Sequence, residues 1–446
     1  MPTDSQPAPT NDGFASSLFG LATGDEDGRY CRDIPDEQCS EQPGNFICHV
    51  VSQALSKAGD GLADTKVVLP WLLGAVGAPV FLIGLLVPIR ESLALLPQIL
   101  VGGMIRRFDV RKYFWIASSV IEGLCVILMG AVALVGFRGA TGGWMIVALL
   151  VVFSLARGIA SIAAKDVLGK TISKGRRGRV SGFAATASGL VTSAVGLYLV
   201  LSPEAARPEW LLYVIIVVAG LCWLLAAASF SLLTEYSGAT DGGRGLRELL
   251  RDQLSLLLKD PELQKFLLAR TLMISTALVG PIYVSLAQRG TGQELAGLGW
   301  LVLATGLAGT VSASVWGVLS DHSSRRTMAL AAGLAGLLGL AVLAVLYAAL
   351  PIAESIVFYA GVLFVLGVAH AGVRIGRKTH IVDMAGGDSK SEYVALSNTI
   401  IGVLLLVIGG LSSLLLGLGQ EIGLAVLSVL ALLGALMALT MKNAQS

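Results

Sequence analysis

The chain has 446 residues, of which 54% are hydrophobic and only 14% charged, with a mean hydropathy of +0.76. Soluble domains carry roughly 25% charged residues, so this one lacks the polar surface to face water all round; disorder and a small disulfide scaffold are excluded on the same counts. Basic and acidic residues nearly cancel, to a net charge of +2, which leaves no excess to recruit nucleic acid.

Residues 1–44 are rich in Pro, Ser, Asp and Glu and are predicted to form a disordered acidic tail, because they cannot bury enough apolar area to offset ordering entropy. Met1 is followed by polar and acidic residues, so no cleavable signal peptide is predicted. Cys31, Cys39, Cys48, Cys125 and Cys222 show no paired spacing and predict free thiols. They compose no zinc pattern, even with His49. His322, His370 and His380 form no metal motif and no Walker loop is present, so no metal, cofactor or ATP-driven step is expected.

A membrane-crossing helix needs about 20 apolar residues. Such segments recur at 47–74, 79–103, 112–136, 144–168, 180–201, 210–233, 264–287, 295–318, 327–350, 354–376, 394–418 and 420–441. The polar stretch 235–263 divides them six and six. The predicted organisation is therefore a bundle over 45–234, a linker over 235–263, a second bundle over 264–441 and a short tail over 442–446. Residues 67–89 can also be read as one span, which would leave eleven and reverse the sidedness of everything downstream. The basic residues favour twelve. Arg106, Arg107, Arg111 and Lys112, the run from Lys165 to Arg179, Arg244 to Lys265, Arg325 with Arg326, and Arg374 to Lys390 all fall on one side, against Arg138, Arg207 and Arg289 on the other. The positive-inside rule then predicts a multi-pass protein of the cell membrane with both termini cytoplasmic.

The halves echo each other. Gly102-Gly-Met-Ile-Arg-Arg-Phe-Asp-Val-Arg-Lys112 follows the second segment, Gly317-Val-Leu-Ser-Asp-His-Ser-Ser-Arg-Arg326 the eighth, and Lys170-Thr171 is matched by Lys378-Thr379. A six-helix unit used twice is the arrangement of transporters whose site lies between repeats. Gly317 to Arg326 resembles the loop signature of the major facilitator superfamily, Gly-x-x-x-Asp-x-x-x-Arg-Arg, and Arg157 resembles the membrane-embedded arginine of its fourth helix. Ala58-Gly-Asp-Gly-Leu62 with Leu69-Pro-Trp71 resembles the first helix of many bacterial members. The resemblance implies an all-α fold of twelve membrane helices in two six-helix repeats, acting as a transporter and not as an enzyme. It also implies a cytoplasmic gate at Gly102, Arg106, Gly317, Asp321, Arg325 and Arg326. Arg106 stands where the family has an aspartate. It would face the positive start of the eleventh helix, so Glu392 or Asp388 is expected to supply the missing anion and latch that side. Asp321 is expected to meet the helix start near Arg176, Arg177 and Arg179. The fifth segment lacks the Gly-Pro pair of many drug–proton antiporters.

An ionised group at the bilayer centre costs roughly 2.5–3.5 kcal/mol, so intramembrane charges need partners, water or a function. Lys57, Asp60 and Asp64 share one helical face. This predicts either a structural Lys57–Asp60 ion pair or a carboxylate pair suited to carrying protons. Glu122 has no charge nearby in sequence and reads as a proton site or as a partner for Arg157 or Arg90. Arg157 cannot discard its charge and must meet a carboxylate, carbonyls or an anionic solute group. The glycines at 182, 189 and 196, and those at 299, 306 and 309, form small stripes that let helices approach closely, either as fixed packing or where helices slide. Gly280-Pro281 should break the seventh segment. The expected activity is proton-coupled transport of a small solute by a monomer in the bilayer. The rivals are a non-transporting receptor or assembly protein of the same fold and, with its histidines too scattered, a membrane-embedded enzyme.

Overall fold

The computed structural model describes residue 19 and residues 41–96, 104–105, 107–238, 240, 255–292, 294–385 and 390–443, leaving out the side chains of 174, 175, 313, 314 and 390–392. Helix occupies all twelve predicted segments. The first is built from α1 (Gln42–Leu62) and α2 (Val68–Ala75), and the second from α3 (Val80–Leu95). Then come α4 (Lys112–Leu134), α5 (Gly139–Thr171), α6 (Lys174–Leu201) and α7 (Trp210–Ser231). The seventh segment is α8 (Pro261–Leu272), α9 (Ser275–Leu278) and α10 (Gly280–Thr291). The rest are α11 (Leu295–His322), α12 (Ser324–Tyr347), α13 (Ile356–Met384), α14 (Lys390–Leu418) and α15 (Gln420–Leu439).

Among the described residues, ten stretches, all from Lys112 onward, are long and apolar enough to cross a membrane. The first segment is broken instead, for local reasons, and residues 97–103 of the second lie outside the described residues. α1 stops at Leu62, and Asp64 turns back so that its carboxylate accepts the N–H groups of Lys66 (2.8 Å) and Val67 (2.9 Å). That fixes the turn leading into α2. The expected shared face of Asp60 and Asp64 is therefore absent, because the helix ends between them. Gly77, at φ +71°, makes the turn into α3, a conformation that L side chains rarely adopt. The seventh segment breaks at Gly280-Pro281 as expected, and again at Met273–Ile274.

Two bundles result. In the first, α4 packs on α5 and α7, α1 on α6 and α7, and α3 on α5; in the second, α12 packs on α13 and α15, and α11 on α13. The bundles meet chiefly where α3 lies along α14 and α6 along α11. Gly123 and Gly220 let α4 and α7 cross closely: a Cβ on Gly123 would sit 2.8 Å from the Gly220 carbonyl oxygen. Leu190, Leu225, Leu337 and Leu414 are among the apolar side chains left on the outside, where a soluble protein would carry charge. The loops rich in Lys and Arg gather at one end of the bundle, called the basic end below; the other is the far end.

The basic end of the first bundle is tied by Glu235, just beyond α7. Its wholly buried carboxylate accepts the backbone N–H groups of Arg111 (2.9 Å) and Lys112 (2.6 Å) at the start of α4, and pairs with Lys170 Nζ (2.8 Å). The anion thus satisfies the unbonded donors and positive dipole of a helix N-terminus. Hydrogen bonds to charged groups contribute roughly 1.5–3 kcal/mol each. Glu235→Gln is therefore expected to lower the melting temperature in detergent by several degrees, and an unchanged melting curve would show that the tie is slack.

The expected tail lies mostly outside the described residues. Its described parts are not loose: Phe19 is buried beneath the Arg176 guanidinium and edge-on to Phe46 (5.3 Å), and α1 begins at Gln42, inside the expected tail. Cys48, Cys125 and Cys222 are free thiols.

Candidate functional site

Four charged side chains from four helices of the first bundle converge. Arg157 on α5 donates from Nη1 to Glu122 Oε2 on α4 (3.2 Å) and to Ser56 Oγ on α1 (3.0 Å); its Nη2 meets Asp60 Oδ2 on α1 in a close ion pair. Arg90 on α3 donates to the other Asp60 oxygen (2.8 Å) and lies over the Phe153 ring, 4.8 Å from its centroid. Pro88, inside α3, removes one backbone donor just before Arg90. Two arginines and two carboxylates make the cluster neutral when all four are ionised.

Water reaches its members unequally. Glu122 is 0% exposed, whereas Asp60 and Arg157 keep 26% and 25% of their side-chain surface. Glu122 is dry because its neighbour Gly123 draws α7 against α4. Its Oε1 has no hydrogen-bond partner, so as an anion it is under-bonded on one side. Arg157 thus bridges a wet carboxylate and a dry one.

Of the sequence candidates, Asp60, Glu122, Arg157 and Arg90 come together, and Ser56 joins them without having been anticipated. Asp64 is withdrawn into the turn between α1 and α2. Lys57 makes no ion pair with Asp60, which is taken by the two arginines; its Nζ donates to the Ser181 carbonyl on α6 (3.2 Å). Gly102 and Arg106 lie outside the described residues, as does the Glu392 side chain, so the expected latch does too. Asp321 is exposed and meets none of the arginines at the start of α6: Arg177 turns to the carbonyls of Ile172 (2.8 Å) and Gly169 (2.6 Å). Gly317 faces open space, Arg325 donates to the Met441 carbonyl (2.7 Å) and Arg326 is exposed.

The second bundle holds more charge than the sequence reading allowed. The tenth segment was expected to end at 376, but α13 runs on to Met384 and carries Arg374, Arg377 and Lys378 within the helix. No proline or residue at positive φ interrupts it, which is the signal that could have extended the reading. One contact joins the halves near mid-height. Thr276 gives its hydroxyl proton to the Met273 carbonyl (2.9 Å), so it can only accept from His370 Nδ1 (3.2 Å); His370 Nε2 is then the acceptor for Lys66 Nζ (3.2 Å). This arrangement requires a neutral imidazole.

Along α6 and α11, and where α2 meets α10, the seam between the bundles is closed at the far end. There Gln288 on α10 donates to the Trp71 carbonyl on α2 (3.0 Å), and a Cβ on Gly297 would lie 2.9 Å from the Trp71 ring. Along α6 and α11, Gly196 packs on Val302 and Leu303 (3.2 Å from a built Cβ), and Gly299 on the Gly196 carbonyl (2.8 Å). Toward the basic end the same stripes part: Gly182, Gly189, Gly309 and Gly317 have nothing within 4 Å. The expected close crossing is thus half made, and the absent Asp321 contact has the same cause.

No protein-family model and no curated protein matches the sequence. Solved structures do match its shape. The nucleoside transporter NupG aligns with a TM-score of 0.63 at 11% identity, over 89% of this chain and 96% of that one. A POT family transporter in complex with a thioalcohol-conjugated peptide aligns at 0.66 and 9%, over 88% and 95%. The xylose transporter XylE from E. coli, in an inward-open conformation, aligns at 0.60 and 12%, over 89% and 95%. Likeness at such identities defines the architecture. The chain is a multi-pass helical membrane protein with the major facilitator superfamily fold.

Proposed function

We propose that the protein is a secondary active transporter that moves a small solute across the cell membrane by alternating access, driven by protons handled at the Asp60–Arg157–Glu122 cluster. The half-closed glycine seam carries this reading. Two stripes built to pack along their whole length touch over only part of it, which is the geometry of one state of a pair. The positive-inside rule assigns the basic end to the cytoplasm, so the crevice faces inward. Structural neighbours that transport nucleosides, sugars or peptides support the reading without naming a solute.

Coupling follows from the charge count. Protonation of Asp60, the carboxylate that water reaches, leaves two arginines to one anion. Arg157 then turns wholly to Glu122, and Arg90 loses its only ion-pair partner among the described residues. Releasing Arg90 frees α3, which lies along α14 of the other bundle, so a proton at one oxygen reaches the moving interface.

The test is flux. Purified protein in liposomes, given a pH gradient and a mixed pool of small metabolites, is expected to concentrate or expel at least one of them. Asp60→Asn should exchange solute but no longer drive it uphill. A receptor or scaffold would move nothing, and its partner binding would survive neutralisation of Asp60, Glu122 and Arg157 together.

A further inference from the structure

We infer that the crevice takes an anionic solute, an oxyanion held by Arg270 of α8 and Arg377 of α13. The argument begins with charge balance. The first bundle's cluster is neutral in itself, so its arginines offer no net positive pole. In the second bundle, Arg270, Arg374 and Arg377 make no ion pair, and Arg374 and Arg377 make no side-chain hydrogen bond either, among the described residues. Phe266 of α8 stacks on His380 of α13, ring centroids 5.4 Å apart and about one turn from Arg270 and Arg377 respectively, which brings these two arginine-bearing turns together, and Glu91 of α3 is the carboxylate that bears on Arg377. Glu91 is shared with Arg157, and among the described residues no carboxylate pairs with Arg270. Lys66, which donates to the His370 imidazole, is the one further cation there, with Asp64 beside it.

Arg270 is the telling residue. It is more than nine-tenths buried, yet its partners are neutral: the Ser397 hydroxyl and Asn398 Oδ1 (3.1 Å), both on α14. Its Nε has no partner. Positive-inside charges sit at a membrane face, whereas Arg270 lies nine residues into α8, about 13 Å along the helix. A guanidinium cannot shed its charge, and its planar fork matches carboxylate and phosphate oxygens in pairs. An arginine so placed and so poorly neutralised is completed by an anion that comes and goes with the solute.

Binding can be tested apart from transport, on which this inference depends only for the anion's passage. The full chain in lipid nanodiscs is melted at constant ionic strength with inorganic phosphate, succinate, xylose or uridine. Phosphate, succinate or both should raise the melting temperature saturably, and which one does so separates a tetrahedral from a planar oxyanion; xylose and uridine should not. Arg377→Gln and Arg374→Gln should each shift the half-saturating anion concentration upward, Arg377→Gln by about tenfold or more, as loss of one charge-assisted contact implies. Arg270→Gln should abolish the effect. Because that variant removes a buried group, Ser397→Ala, which spares the guanidinium, serves as its folding control and should keep the response. If neither anion stabilises the protein, or if Arg377→Gln leaves the midpoint where it was, the inference falls. An anion that binds but crosses no liposome would sink the transport reading and leave this site standing. A neutral solute that crosses while both anions are inert would do the reverse.

Discussion

In proteoliposomes, Arg157→Gln is expected to lose solute flux by about a hundredfold or more, together with a large fall in melting temperature. The residue holds three groups at once: Asp60, Glu122 and Ser56. Removing one member of a buried ion pair leaves its partner uncompensated and costs roughly 3–5 kcal/mol. Asp60 keeps Arg90 and some water, whereas Glu122 keeps neither, so the penalty falls mainly on Glu122. The double variant Arg157→Gln/Glu122→Gln should therefore regain most of the lost thermal stability, since a neutral amide in that dry site no longer needs a counter-charge. It should not regain flux, because the element that exchanges partners is gone. Stability recovered without transport separates a coupling cluster from a structural ion pair, which would recover both. Flux within about tenfold of the original in the single variant would show that Arg157 only holds the fold.

The architecture was legible because membrane helices declare themselves by length and apolarity, and because the loops between them carry charge on one side only. The site was legible in part. Bilayer physics demands that Arg157 find a carboxylate, carbonyls or an anionic solute group, which left Asp60, Asp64 and Glu122 as candidates without choosing among them. The choice turns on where α1 ends. Had the helix run two residues further, Asp64 would lie one turn from Asp60 and repel it; ending at Leu62 lets it brace the turn into α2 instead. The Lys57–Asp60 pair failed for a related reason, since spacing along a helix says which groups could meet, not which rival from another helix arrives first. Glu235 was read only as part of a polar linker, and nothing local marks a loop acid that closes on a helix start 124 positions away. The charges of α13 were assigned to a loop because a charge-rich stretch after an apolar run looks like an exit from the membrane, although the helix continues.

Gly189→Leu is expected to leave the protein folded and stop it transporting. The seven-residue spacing of Gly182, Gly189 and Gly196 places them on one face of α6, and that face meets α11 at Gly196. Gly189 lies about 10 Å further along, with open space where its Cβ would be, so a leucine there costs the present state little. In the opposite state, with the basic end shut, the same leucine would stand where α11 must come as near as Gly299 now comes to Gly196. Overpacking a close contact costs typically 1–3 kcal/mol, and more where backbones touch. The closed population would thus fall by one or more decades. Spin labels at Ser181 and Asp321, on the parted ends of α6 and α11, provide the readout. The parent protein should show a long and a short distance as solute is added, and Gly189→Leu only the long one. Gly196→Leu should act in the opposite sense: it would press on Val302 and Leu303 where the seam is already closed, and so favour the short distance. Were both variants to transport normally with unaltered distances, the half-closed seam would be ordinary packing and the helices would not rock about it.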